Sequence, residues 1–354
     1  MDKTINSVER IRRAINGEPL DYYPAILIAL GVACELTHIK QRDYSTCPDV
    51  MADCLIKCAD MTCGVDGIYV SRDNAVIHQA IGGEVVFPEN AVGMKVGNIL
   101  EKVKDFEKLS VPDFETAPGS STIIKAARKV IEQVGNKYYV MANIDSGPFS
   151  TAASLRGIQN FMMDIVTEDE SLLKEYLDFC NELVVSYGKA MQKTGVKGIQ
   201  YGESPASLIS PELFKKYAFP YIQKSSKALF HKDVDFWLHI CGNSKHLLPL
   251  LAVEDLNIQV FELDAMVDLA EAHKLLEGKI TLKGNLDTMF ISSSTANEVY
   301  NATREMIKES KLNTSLIVSA GCEIPRETPL ENIKAMINAC QCPPYTKGLV
   351  EKYL

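Results

Sequence analysis

Histidine is scarce in this sequence, six in 354 residues, and several familiar signatures are missing altogether. No glycine fingerprint of the dinucleotide or P-loop kind follows any apolar run, which removes the usual ligands of an open, doubly wound sheet. Basic charge is short as well. The formal net charge is −9, so the electrostatic footprint of a nucleic-acid binder, or of a protein held on an anionic membrane, is lacking. No apolar run approaches the roughly 18 residues of a membrane span. Nor does a basic segment followed by an apolar stretch open the chain as a secretion signal would. Internal repeats and low-complexity linkers are absent. The expectation is a cytoplasmic protein that works on small molecules, with neither nucleic acid nor membrane as a partner.

What is present is ample apolar material, 46% hydrophobic against 23% charged residues, and a regular rhythm. Short apolar or alternating runs occur at "PAILIAL" (24–30), "GIYVS" (67–71), "YYVMANI" (138–144) and "GIQYGE" (198–203). They continue at "DFWLHIC" (235–241), "NIQVFEL" (257–263), "KITLKGN" (279–285) and "SLIVSAGC" (315–322). Each has the length of a buried strand and most end in Gly, Asn, Asp or Glu. Segments of helical period lie between them, including "SPELFKKYAFPYIQKSSKALFHK" and "TANEVYNATREMIKES". Thr295 with Glu298 makes a capping-box signature, and Ser210 with Pro211 an N-cap and first helical position. Eight strands alternating with helices predict a closed (β/α)8 TIM barrel, with an open doubly wound sheet as the competitor. The whole of 1–354 reads as one such domain. Residues 1–23 form an N-terminal helical segment that closes the barrel's bottom, and 83–113 an insertion after the second strand.

The ten cysteines suit reduced, mostly buried thiols better than a disulfide framework. Cys54, Cys58 and Cys63 are spaced for packing on a helix more than for a metal cluster, and Cys340 and Cys342 have less claim still. The exception is "FWLHICGNSKHLL". His239 and Cys241 end the fifth run and point the same way by alternation; Cys322 ends the eighth, again beside a glycine. Active sites of (β/α)8 barrels form at these C-terminal strand ends. One imidazole and two thiolates suit Zn²⁺, and three protein ligands leave the fourth position open, as in catalytic zinc sites. The alternative is a satisfied core histidine with two packing cysteines. His246 and His273 fall on helices and are not counted as ligands.

Glu203 ends the fourth run and is a candidate catalytic carboxylate, for zinc or for a thiol proton; a hydrogen-bonding role behind His239 or to a backbone amide is the alternative. Asp73, Asn143 and Asp145 fall on loops of the same face, with ordinary loop capping as the other reading. Glu262, Asp264 and Asn285 end the sixth and seventh runs and are pocket candidates.

"HICG" with "SAGCEIPRETPLENIKAM" resembles the His-x-Cys…Cys zinc motif of methylcobamide:coenzyme M methyltransferases, in the uroporphyrinogen decarboxylase superfamily. The resemblance extends through "ERIRRAINGEPLDYYP", "VDGIYVSRDNAVIHQAIGGEV", "DSGPFSTAASLRG", "SPASLISPELFKKYAFPY" and "LKGNLDT". It implies zinc on His239, Cys241 and Cys322 and a methyl group passed from a methylcorrinoid co-substrate, carried on a corrinoid protein, to a small thiol such as coenzyme M. Transfer in the demethylating direction, uroporphyrinogen decarboxylation, and a non-enzymatic metal- or corrinoid-handling role are the rivals. For the decarboxylase, Asp73 matches the aspartate that the resemblance implies. "PLDYYPAILIALG", however, lacks the expected Arg-x-x-Gly-Arg pattern, Ser154 stands for a tyrosine, and Cys322 for the histidine of Gly-His-Gly. Without that cationic cradle a substrate with many carboxylates has no charge-assisted partners.

Overall fold

Seven of the eight apolar runs form strands that pair in parallel, each with the next in the chain. The computed structural model describes residues 5–253 and 256–341; Cys342 lies outside them. Along the chain the strands are β1 (Gly67–Val70), β2 (Val85–Val86), β3 (Met94–Lys95), β4 (Tyr139–Ser146), β5 (Gly198–Gly202), β6 (Asp235–Ile240), β7 (Val260–Leu263), β8 (Thr281–Leu286) and β9 (Leu316–Ala320). The main sheet runs β1-β4-β5-β6-β7-β8-β9, and β2 pairs only with β3. Helices separate the parallel strands, as such crossovers require.

The eighth strand is reduced to two bridging residues. Ala25 bridges to Val318 of β9 and Ile26 to Gly67 of β1. Val318 N–H donates to Pro24 O at 2.8 Å and Asp66 N–H to Ala25 O at 2.8 Å, so the short segment closes the ring between its two edges. Pro24 has no N–H to contribute, which limits the ladder on that side. Gly67 is needed at the seam: a Cβ there would meet Ile26 Cδ1 at 2.7 Å and Tyr139 O at 2.8 Å.

Alternation sorts the side chains into two layers. Tyr139, Met141, Trp237, Val260 and Ile317 fill the barrel interior, while Val140, Ala142, Leu238 and Val318 join the larger core between sheet and helices. The N-terminal helix Ser7–Asn16, capped by Asn6 through Glu9 N–H, inserts Ile11 and Ala14 into the interior cluster. Arg10 fastens it: the guanidinium reaches Asp66 at 2.5 Å and Asp21 at 2.7 Å. The helix Ser7–Asn16 thus plugs one end of the barrel.

The expected capping box at Thr295 and Glu298 opens helix Ala296–Ser310. The run from Ser210 is less regular: Pro211–Leu213 leads into a π-helical turn, Phe214–Ala218, before Phe219–Ala228 continues. Pro220 explains the widened turn, because its ring displaces the carbonyl four residues back. The excursion from residue 83 carries the β2–β3 ribbon. It is tied to the chain after β4 by Lys95 Nζ to Ser154 Oγ at 2.6 Å and by Leu100 N–H to Leu155 O at 3.0 Å. Among the described residues, no helix is long and apolar enough to cross a membrane.

Candidate metal centre

His239 lies two residues beyond Trp237 on β6 and on the same inward face, so its ring tops the interior stack. Cys241 follows the strand end, and Gly242, at φ +78°, turns the chain away after it. Cys322 sits just past β9 behind Gly321, where a Cβ would lie 2.5 Å from Ala265 N; that close approach draws the end of β9 against the loop after β7. Three strand steps separate β6 from β9, yet the barrel's curvature brings their ends together.

The His239 Nε2 stands 2.7 Å from Cys241 Sγ, and Cys241 Sγ 3.9 Å from Cys322 Sγ. Among the described residues these three form the one group of His, Cys, Asp or Glu side chains whose donor atoms converge, all within 4.8 Å of one another. Two sulfurs on a tetrahedral zinc, each at about 2.3 Å, stand roughly 3.8 Å apart, close to the separation found. The imidazole–sulfur edge of such a site is roughly 3.5 Å, so the shorter His239–Cys241 contact has to open by less than an ångström. His239 Nδ1 lies 3.1 Å from the Glu262 carbonyl oxygen, and as donor to it leaves Nε2 the lone pair that a metal takes. The donor set fits zinc.

Electrostatics favour a thiolate here. Hydrogen bonds from Cys241 and then from His239 draw the Cys322 thiol well below its ordinary value, against the opposing effect of burial. The same Cys322 bond, with burial, pushes Cys241 up. Burial disfavours the charged imidazole, but Cys322 and Glu262 outweigh it and hold His239 above its ordinary value.

All three residues open into a cavity of about 480 Å³, which Asn143 and Asp145 also line. Asp145 adopts φ +69°, and its carboxylate accepts from Ile77 N–H at 2.7 Å; burial raises its pKa. Asn143 Nδ2 donates to Gln200 Oε1 at 2.6 Å. Glu203 is fully buried and turned from the sulfurs toward helix Pro148–Arg156, where it accepts from Phe149 N–H at 3.1 Å and from Ser150 N–H and Oγ at 2.8 and 2.7 Å. Desolvation pushes its carboxyl up to about 7, against those bonds. Asp73 is paired with Arg72 at 2.8 Å and caps Ala75 N–H. Asn285 Nδ2 ties the loop after β7 through Asp264 O and Val267 O at 2.9 and 2.6 Å, and Asp264 accepts from Gly242 N–H at 2.9 Å. His246 hydrogen-bonds with Ile209 O. Cys54 and Cys58 are buried in helix Pro48–Thr62, and Cys63 is exposed beyond its end.

The family profile described as Uroporphyrinogen decarboxylase (URO-D) matches residues 6–342. The chain belongs to this family. Methylcobamide:CoM methyltransferase MtbA of Methanosarcina mazei is 26% identical over 351 residues, covering 94% of this chain and 97% of its own. A uroporphyrinogen decarboxylase of Rickettsia bellii is 25% identical over 286 residues, covering 77% of this chain and 79% of its own. A solved methyltransferase structure from Methanosarcina mazei superposes with a TM-score of 0.85 at 22% identity, covering 95% of this chain and 98% of the other; this similarity establishes the fold. Relatives of both kinds therefore align with most of the chain.

In this member of the uroporphyrinogen decarboxylase family, three polar residues beneath the sulfurs escape a reading of strand ends. Lys283 is buried in mid-β8 and paired with Glu262 at 2.9 Å. Gln200 donates to the other Glu262 oxygen at 3.2 Å, and Tyr69 donates to Gln200 Oε1 at 2.7 Å. The signal available was a lysine inside a buried-strand pattern, where an unpaired cation is too costly to keep.

Proposed function

We propose that this protein is a zinc-dependent methyltransferase that moves a methyl group from a methylated corrinoid, borne by a separate corrinoid protein, to the sulfur of a small thiol such as coenzyme M. One observation carries the reading: an imidazole nitrogen and two sulfurs within 4.8 Å of one another at a cavity of about 480 Å³. Three protein donors leave one position open, and zinc held there would keep a coordinated thiol deprotonated at neutral pH. His239, Cys241 and Cys322 are the ligands in this reading. Asn143 and Asp145 form the polar wall beside an acceptor. Glu203 holds Ser150, a further lining residue, in place. Asn285 and Asp264 secure the loop against which Cys322 packs, Asp73 fixes Arg72 behind the wall, and Glu262 supports His239 from below. In the reaction the carbon–cobalt bond breaks with its electron pair left on cobalt, a carbon–sulfur bond forms, and the thiol proton passes to solvent.

The methyltransferase names carried by relatives along almost the whole chain support this reading. Uroporphyrinogen decarboxylation fits less well. Among the described lining residues Lys95 is the one cation, set against the carboxyls of Asp145 and Glu323, a poor match for a substrate with many carboxylates.

The deciding experiment pairs metal analysis of the parent and His239→Ala proteins with single-turnover demethylation of methylcobalamin. Zinc near one per chain in the parent alone, with transfer to coenzyme M or homocysteine, is the expected result. Turnover only from an aryl methyl ether to cobalt would reverse the direction, and a metal-free, inactive parent would remove the proposal.

A further inference from the structure

The polar groups under the candidate centre form a continuous layer across six neighbouring strands. Tyr69 comes from β1, Asn143 from β4, Gln200 from β5, His239 from β6, Glu262 from β7 and Lys283 from β8. Adjacent strands hold them in register: Asn143 opposite Gln200, His239 opposite Glu262, Glu262 opposite Lys283. Each is buried, with Lys283 1% and Glu262 2% exposed.

Glu262 is the hub. Its Oε1 takes Lys283 Nζ at 2.9 Å and its Oε2 takes Gln200 Nε2 at 3.2 Å. Its main-chain oxygen lies 3.1 Å from His239 Nδ1, and Oε2 stands 3.7 Å from the same nitrogen. Two donors thus pin the carboxylate where it leaves Nδ1 to the carbonyl. Remove Lys283, and the buried Glu262 carboxylate loses its ionic partner; His239 Nδ1, 3.7 Å from Oε2, is an ionisable group placed to answer it. A ring pulled toward Glu262 turns Nε2 off the two sulfurs.

We propose that Lys283 is a positioning residue of the centre: by anchoring Glu262 it fixes the ring of His239 with Nε2 toward Cys241 and Cys322. This rests on the metal reading of those three residues. Outer partners of ligating histidines are worth about 10–100-fold in metal affinity, which sets the scale expected.

The test uses Zn²⁺ affinity by competition with a chelator, and the visible spectrum of the Co²⁺-substituted protein, for the parent, Lys283→Met and Lys283→Arg. Lys283→Met is expected to bind Zn²⁺ about tenfold or more weakly and to shift the Co²⁺ bands, with Lys283→Arg restoring much of both. Parental affinity and spectrum in Lys283→Met would overturn the proposal. If that variant does not fold, Lys283→Gln, which keeps a hydrogen-bond donor but leaves the Glu262 carboxylate without its ionic partner, takes its place: weaker Zn²⁺ binding with shifted Co²⁺ bands supports the proposal, and parental values overturn it. A parent that binds neither ion would instead overturn the metal reading itself.

Discussion

Cys241 and Cys322 are 81 residues apart in the chain, and their sulfurs stand 3.9 Å apart. Their separation suits two ligands of one ion, whereas Cys340 is buried in helix Leu330–Cys340 with its sulfur on Met336 O at 3.1 Å. Cys322→Ser is therefore expected to lose zinc on dialysis against a chelator, while Cys340→Ser keeps a parental content. Elemental analysis of the two proteins decides it, and equal metal in both would count against the pairing.

The buried carboxyl of Glu203 gives a pH dependence with a definite sign. Its folded-state pKa of about 7 lies above the roughly 4.3 of an unfolded chain, so between these values the folded protein binds more protons than the unfolded one. Stability from this group accordingly falls as pH rises through that window and stays low above it, by about 4 kcal/mol at most. Urea unfolding of parent and Glu203→Gln at pH 5 and pH 8 measures the effect: the parent should lose ground to the variant at the higher pH. A stability difference that does not change with pH would contradict it.

Gly147 tests the same carboxyl by shape. A Cβ there would lie 2.3 Å from Glu203 Oε1, so Gly147→Ala must displace the side chain or the helix start. A loss of about 1–3 kcal/mol is expected from such overpacking, read by urea denaturation, and the loss should shrink when Glu203 is shortened to alanine in the same protein.

Arg10→Met addresses the plug. Arg10 and Asp66 are 3% and 1% exposed, and Asp66 also accepts from Ala25 N–H at 3.0 Å beside the seam. Removing one partner of a buried pair costs about 3–5 kcal/mol. Arg10→Met should therefore unfold at clearly lower urea, and Arg13→Met, which breaks an exposed i,i+4 pair with Glu9, should change stability by less than about 0.5 kcal/mol.

The convergence of His239, Cys241 and Cys322 was legible because inward-facing polar residues at strand ends stand out: His239 and Cys241 share a face by alternation, and Cys322 repeats their setting. Lys283 and Gln200 were hidden by the same rule. An alternating strand shows one polar face without saying whether water or a barrel interior meets it, so "KITLKGN" reads equally well with Lys283 in solvent. The seam was hidden differently. "PAILIAL" has the composition of a full strand, but Pro24 contributes no donor and the helix Gly31–Thr37 begins at once, leaving Ala25 and Ile26 to make the bridges. The π-helical turn before Pro220 likewise lies inside a run whose periodicity is unbroken on paper.

The helix that fills the far end of the barrel with Ile11 and Ala14 has a kinetic consequence for the proposed reaction. With that side sealed, both reactants must use one doorway. A broad corrinoid seated there would shut out the smaller molecule, so the thiol loads first and the macromolecular donor docks over it. Steady-state rates should then follow a compulsory order, with the donor protein trapping the acceptor it has covered.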